Sequence, residues 1–229
     1  MSKELIVDQN PKSAFSEAIK NIRTNLQFAS VDSKVKNILV TSSTSGEGKS
    51  FVSANLAVAF AKLGSKVLLV DCDMRLGRQH EVFSLSNAVG LSSLLIDDVE
   101  KKYSKYIQKT DIKNVSVLTR GIVPPNPSEL LSSEKNRQLV EILSNEYDVI
   151  IWDCVPLTGL TDSLVMADLV DKIVLVCAYN KTPMELVQNS KKALSNFENK
   201  IAGVILNGMP FKGNHYYTSY YSKSYGVDA

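Results

Sequence analysis

The chain has little of what marks several large classes of protein. Its 229 residues include only three cysteines, Cys72, Cys154 and Cys177, and two histidines, and no cysteines stand at a Cys-x-x-Cys spacing. A disulfide framework and a cysteine–histidine zinc site are therefore not expected, and a reducing cytoplasm fits the composition. No apolar run approaches the roughly 18 to 20 residues that span a bilayer. Residues 1–10 lack the pattern of a signal peptide, so we expect any membrane role to depend on a partner.

Neither sign of charge is in excess. Lys and Arg number 26 and Asp and Glu 24, for a net charge of +2. This balance argues against a protein that coats nucleic acid, and no nucleic-acid partner is expected. With 44% hydrophobic residues and no internal repeat, the chain is long enough to bury a core without disulfides or a metal.

Short apolar runs alternate with helical stretches along most of the chain. The runs are residues 37–41, 66–71, 115–118, 148–153, 172–178 and 201–207. Because they do not alternate with polar residues, they predict strands buried on both faces, in an α/β fold whose mostly parallel sheet is flanked by helices on both faces. An amphipathic helix is predicted over residues 11–29. The pattern stops at Lys212, which predicts one domain over residues 1–211 and a flexible tail over 212–229.

A glycine-rich loop joins the first strand to an alanine-rich helix. Residues 43–50 have the sequence Ser-Thr-Ser-Gly-Glu-Gly-Lys-Ser, which differs from the phosphate-loop pattern G-x-x-x-x-G-K-[ST] only at Ser43. Such a loop turns backbone N–H groups towards phosphate oxygens at a helix N-terminus. The alternative is a plain turn with a capping serine. A dinucleotide fingerprint would need a third glycine where Phe51 stands. The loop therefore favours a P-loop NTPase-like fold.

Two of the apolar runs end in aspartate. Asp71 and Asp153 are expected at the carboxyl edge of the sheet, beside the loop, where one can serve Mg²⁺ and another can accept a proton. One such aspartate often marks only a helix cap, but two with a phosphate loop favour nucleotide hydrolysis or phosphoryl transfer. Asp73 and Arg75 fit a surface ion pair nearly as well. Asn207 ends the last run, where it fits either an adenine contact or an Asx turn.

The C-terminal segment is rich in tyrosine. Five of the nine tyrosines fall within residues 215–225, interleaved with Ser, Thr and Lys and without helical or strand periodicity. A phosphate-accepting tail, a stacking platform for nucleic acid and a low-complexity end all fit this pattern. The nucleotide site in the same chain favours the first, with phosphorylation predicted at Tyr216, Tyr217, Tyr220, Tyr221 and Tyr225.

Over nearly its whole length the chain resembles the bacterial tyrosine kinases, in particular the cytoplasmic kinase subunits of capsular-polysaccharide synthesis of the CapB type. The motifs that carry the resemblance are residues 43–50, 67–75, 124–131 and 150–156 together with the tyrosine cluster. The resemblance implies an ATP- and Mg²⁺-dependent protein-tyrosine kinase that phosphorylates its tyrosine cluster between subunits.

The resemblance also implies roles for individual residues. Lys49, Asp71, Asp73 and Asp153 would be catalytic, with Asp71 the candidate base. Ser50, Asp71 and Asp153 would serve the metal. The nucleotide would contact Ser45, Gly46, Glu47, Gly48, Lys49, Ser50, Phe51 and Asn207.

Further implications concern assembly and partners. The family's E-x-x-R-x-x-R element for ring assembly appears as Glu17, Lys20 and Arg23, and Lys20 lacks the bidentate fork of arginine. A membrane-spanning activator would complete the active site and recruit the cytoplasmic kinase to the inner face of the plasma membrane. A cognate tyrosine phosphatase and polysaccharide-synthesis enzymes would be substrates of the kinase.

Two other functions remain open on the sequence. A MinD/ParA-like ATPase would carry a second lysine near the start of the loop, where this chain has Thr44. A nucleotide-dependent scaffold would bind ATP without transferring phosphate.

Overall fold

Seven strands form one sheet in the part of the chain that the structure, a computed structural model, describes: residues 3–29, 34–97 and 99–210. The strands are β1 (Asn37–Ser42), β2 (Val67–Asp71), β3 (Gln108–Lys109), β4 (Val115–Leu118), β5 (Val149–Asp153), β6 (Lys172–Ala178) and β7 (Ile201–Asn207). Their order across the sheet is β3-β4-β2-β5-β1-β6-β7. All pairs are parallel except β3 with β4. The predicted α/β architecture is confirmed.

Helices cover both faces of this sheet. They are α1 (Ile6–Gln9), α2 (Ala14–Gln27), α3 (Lys49–Ala61), α4 (Gln79–Val82), α5 (Leu91–Ile96), α6 (Val99–Lys102), α7 (Pro127–Ser132), α8 (Glu134–Glu146), α9 (Asp162–Leu169) and α10 (Met184–Ala193), with 3₁₀ turns at Tyr103–Lys105 and Ser195–Lys200. Across residues 3–29, 34–97 and 99–210, no helix has both the length and the apolar character needed to cross a membrane.

The central strands are buried on both sides because successive side chains enter two separate cores. Along β1, Ile38 and Val40 pack in the core under α3, whereas Leu39 packs in the opposite core with Trp152 and helix α8. Every residue of β1, β2 and β5 is buried. This two-sided burial explains why the strands appear in the sequence as continuous apolar runs.

Strand β7 departs from the prediction that every run is buried on both faces. Val204 and Leu206 are 57% and 50% exposed. The reason is position, since β7 lies at the edge of the sheet and pairs only with β6. Its apolar side chains alternate between a covered and an open face.

The N-terminal helix is shorter than the predicted range of 11–29. Helix α2 spans Ala14–Gln27 because Ser13 caps it, its hydroxyl accepting a hydrogen bond from the Ser16 N–H at 3.1 Å. The helix packs against α3, and the Phe15 and Phe51 rings lie 4.9 Å apart between centroids. The N-terminal segment therefore lies against the helix that follows the phosphate loop.

Candidate active site

The glycine-rich loop connects β1 to α3 in the arrangement expected of a phosphate loop. Gly46 and Gly48 have φ angles of 80° and 89°, a left-handed conformation that glycine adopts without strain. Gly48 is the N-cap of α3, which runs for 13 residues from Lys49. Lys49 is only 7% exposed. The backbone N–H groups at this helix start, together with the Lys49 ammonium group, form a cradle suited to an anion.

Glu47 holds the loop in shape from within. One carboxylate oxygen accepts a hydrogen bond from the Thr44 N–H at 2.9 Å, and the other accepts from the Thr182 hydroxyl. The Glu47 carbonyl accepts from the Asn207 amide at 3.0 Å. A side-chain carbon on Gly48 would lie 2.1 Å from that amide nitrogen. Asn207 therefore packs directly on the loop backbone, and its adenine contact stays a prediction.

Three acidic side chains converge beside the cradle. Asp71 and Asp153 end adjacent strands and stand opposite each other in the register of β2 and β5, and both are fully buried. Asp73, in the loop after β2, has a carboxylate oxygen 3.8 Å from the Lys49 ammonium nitrogen. The structure thus brings together the four side chains that the sequence predicted as catalytic, although they come from separate segments.

The two strand-end carboxyls repel each other in a site closed to solvent. Burial, then the charge of Asp153, raises the pKa of Asp71 well above its ordinary value. Burial also raises the pKa of Asp153, and the nearby Lys49 charge opposes that rise. Two buried carboxylates this close are stabilised when one of them is protonated or when a cation binds next to both.

The donor set fits a magnesium ion. Asp71 Oδ1 is buried and has no hydrogen-bond partner among the described residues. Within the same residues, no three His, Cys, Asp or Glu side chains are grouped so as to hold a metal by themselves. Mg²⁺ needs no such group, because it keeps several waters and takes one or two carboxylates plus phosphate oxygens. Asp71, Asp153 and Ser50 could hold it beside the cradle.

Further hydrogen-bond donors surround the carboxyls, and sequence reasoning did not find them. The Ser53 hydroxyl donates to Asp153 Oδ1 at 3.2 Å, and the Gln79 amide donates to Asp153 Oδ2 at 2.7 Å. Ser53 follows the loop by one turn of α3, so the helical period could have revealed it. Gln79 belongs to no motif, and only the fold places it in the site.

Arg75 forms its ion pair with Asp162 and not with Asp73, the partner that the sequence suggested. Asp73 Oδ1 accepts from the backbone N–H groups of Arg75 and Leu76 at 3.3 and 2.8 Å. The Arg75 guanidinium instead lies 3.4 Å from Asp162, which is buried and also accepts a hydrogen bond from the Ser128 hydroxyl at 2.5 Å. This pair ties the loop after β2 to α9 and α7 beside the site.

The predicted assembly residues lie on α2, and the predicted phosphorylation sites lie outside the described residues. The Lys20 ammonium nitrogen is 2.6 Å from the Glu17 carboxylate and donates to the Pro11 carbonyl at 2.7 Å. The Arg23 guanidinium donates to the Ala59 carbonyl of α3 at 3.2 Å. All three thus engage groups of their own chain, and their ring contact stays a prediction. The domain boundary after residue 211 also lies outside the described range.

Comparison with known proteins shows close likeness over nearly the full chain. A family model described as an AAA domain matches residues 35–205. The protein CapB of Staphylococcus aureus is 41% identical over 96% of this chain and 95% of its own length. The tyrosine-protein kinase YwqD of Bacillus subtilis is 40% identical over 97% of this chain and 93% of its own length. The crystal structure of the chimerical protein CapA2B2 superposes with a TM-score of 0.86 at 40% identity, over 92% of both chains.

Proposed function

We propose a reaction for this chain, which belongs to the bacterial protein-tyrosine kinases of the capsule and exopolysaccharide type. The chain transfers the γ-phosphoryl group of ATP to tyrosines in the C-terminal segment of a neighbouring copy. The observation that carries the proposal is the convergence of Lys49, Asp71 and Asp153 at the carboxyl edge of the sheet, next to the loop of residues 43–50. A phosphoryl-transfer site needs this combination of anion cradle, cation and buried carboxylates.

The loop and Lys49 bind and orient the triphosphate. Backbone N–H groups of the loop and the N-terminus of α3 face the phosphate oxygens, while the Lys49 ammonium group stabilises charge on the transferring group. Ser50, Asp71 and Asp153 would hold Mg²⁺ beside the cradle, and the ion would neutralise part of the charge on the phosphates. Burial of Lys49 strengthens its interaction with phosphate, because the site excludes water.

Asp71 accepts the proton of the attacking phenol. The tyrosine O–H bond breaks as its oxygen bonds to the γ-phosphorus, and ADP leaves with the electrons of the former bridging bond. A phenol has an ordinary pKa of about 10, so a positioned base assists the transfer.

Assembly and membrane attachment belong to the same proposal. The acceptor tyrosines reach the site from an adjacent subunit of a ring that residues Glu17, Lys20 and Arg23 help to form. A membrane-spanning activator contributes a cytoplasmic segment to the site and holds the cytoplasmic kinase at the membrane. Phosphorylation of the tail then adds about −1.5 to −2 charges at each tyrosine and releases the ring, which regulates polysaccharide synthesis.

Incubation with Mg-ATP, with and without the activator's cytoplasmic segment, tests the reaction. We expect phosphotyrosine at residues 216–225 in the wild type and none in Lys49→Met. Lys172→Met is the matched control, because Lys172 is the first residue of β6 and lies at the edge of the sheet opposite the carboxyl edge. This variant should be labelled normally. ATP hydrolysis without protein labelling would favour a MinD/ParA-like ATPase, and binding with neither would favour a scaffold. Equal labelling of Lys49→Met would refute the site assignment.

The proposed release of the ring after phosphorylation is tested by measuring the size of the assembly. Particle mass in solution should fall after incubation with ATP and the activator segment. An assembly of identical size before and after full phosphorylation would reject the release model.

A further inference from the structure

Gln79 is a neutral, fully buried residue that bonds to both strand-end carboxyls. It is the first residue of α4, and the chain returns with it to the site only eight residues after Asp71. A glutamine amide has two donors and one acceptor atom with two lone pairs. A buried amide of this kind needs partners, and here the partners are the groups that the reaction uses.

Gln79 contacts both carboxyls through different donors. Its backbone N–H donates to Asp71 Oδ2 at 3.0 Å. Its side-chain amide donates to Asp153 Oδ2 at 2.7 Å and to the Ser50 carbonyl at 3.0 Å. The two side-chain partners are both acceptors, so the amide nitrogen must face them, and the orientation of the group is determined.

Two polar atoms on this side of the site have no hydrogen-bond partner. Gln79 Oε1 and Asp71 Oδ1 are both buried without a hydrogen-bond partner among the described residues. A buried acceptor without a donor is unfavourable in a folded protein. Two such atoms beside a phosphate cradle are suited to a ligand that brings both a cation and bound water.

The geometry points to Gln79 as a positioning residue that holds the carboxylates of Asp71 and Asp153 in fixed orientations and leaves its own carbonyl oxygen to accept from a metal-bound water. This inference rests on the proposed function, because it assigns an outer partner to the magnesium–nucleotide site. Outer partners of metal ligands typically change metal affinity or activity by about 10- to 100-fold when they are replaced.

Two variants test whether the site needs the amide of Gln79 in its exact place or only a polar side chain at this position. Gln79→Met keeps the length and shape of the side chain and the backbone N–H, but it removes the amide. Gln79→Asn keeps the amide on a shorter stem that cannot reach both Asp153 and Ser50. Gln108→Met is the matched control, since the Gln108 amide also makes hydrogen bonds, to Ser86, but lies in β3 at the far edge of the sheet.

The readout is the affinity for ADP measured by titration calorimetry with Mg²⁺ and with a chelator, together with kcat and KM for ATP. We expect both Gln79 variants to bind ADP without metal within about threefold of wild type. The gain in affinity that Mg²⁺ provides should fall by about 10- to 100-fold, and kcat should fall with it. Gln108→Met should keep the full gain.

The possible results distinguish failure of the Gln79 inference from failure of the proposed function. A magnesium-dependent gain within twofold of wild type in Gln79→Met would overturn the inference, and so would full function in Gln79→Asn. If Gln79→Met does not fold, the shorter polar variant decides. A wild type that shows no magnesium-dependent gain would instead refute the proposed function.

Discussion

Replacing Gly77 with alanine should weaken the proposed magnesium site without replacing any charged residue. Gly77 is buried in the loop between Asp71 and Gln79, and its backbone N–H donates to the Asp73 carbonyl at 2.7 Å. A side-chain carbon there would lie 2.1 Å from Asp71 Oδ1 and 2.4 Å from the Asp73 carbonyl oxygen. Neither distance is tolerable, and the second involves backbone, so the loop or the carboxylate must move.

The magnitude follows from overpacking. Forcing one extra carbon into a filled site typically costs about 1–3 kcal/mol. For a domain of this size each kcal/mol corresponds to about 2–4 °C in melting temperature, so the expected loss is about 2–12 °C. The displaced Asp71 oxygen is the unpartnered one, so Mg²⁺-dependent ADP affinity should fall by about 10- to 100-fold.

Thermal melting and calorimetry with and without Mg²⁺ measure both effects. Gly64→Ala is the control, because Gly64 has a φ of 94° with no heavy atom within 4 Å of the added carbon. That variant carries only the left-handed strain of about 1–2 kcal/mol and should keep its magnesium response. If Gly77→Ala binds Mg-ADP like wild type, the loop does not hold Asp71 in place, and the reasoning is wrong.

Three further substitutions give distinct signatures. Burial and the Asp153 charge raise the pKa of Asp71, so the carboxyl proton of Asp71 is held more tightly in the folded nucleotide-free protein than in the unfolded chain. The free energy of unfolding therefore falls as pH rises above the ordinary carboxyl range. Asp71→Asn should therefore melt higher than wild type at pH 8, by a margin that shrinks towards pH 4, while phosphorylation is lost; a lower melting temperature at pH 8 would contradict the sign. Asn207→Ala removes the hydrogen bond to the Glu47 carbonyl, worth about 0.5–1.5 kcal/mol, and should raise the ADP dissociation constant about 2- to 12-fold in calorimetry, whereas unchanged affinity would show that the loop needs no such support. Lys20→Arg supplies a bidentate fork and should shift the assembly towards larger particles in mass photometry, and an unchanged mass distribution would count against a ring contact through this residue.

The parts of the site that belong to a local sequence pattern could be predicted. The loop from Ser43 to Ser50 carries its own conformational information in Gly46 and Gly48, whose positive φ angles the structure shows. Asp71 and Asp153 follow buried runs directly, and a residue that follows a parallel strand must lie at the carboxyl edge.

Contacts made by residues that belong to no sequence motif could not be predicted. Thr182 meets Glu47 across 135 residues, and Gln79 meets Asp153 across 74. A Thr or Gln outside any motif has no pattern that distinguishes it from a surface residue. The exposed face of β7 was missed for a similar reason, because a run of apolar residues does not say which strand lies at the edge.

The sequence by itself determined the α/β architecture, the phosphate loop and the edge of the sheet at which the acids emerge, because hydrophobic period and backbone freedom are local properties of the chain. Only the tertiary structure decided that β2 and β5 are neighbours, so that Asp71 and Asp153 stand opposite each other, both buried, and both bond to Gln79. The order of strands depends on how helices of both faces pack over a common sheet, and that packing is a property of the whole chain.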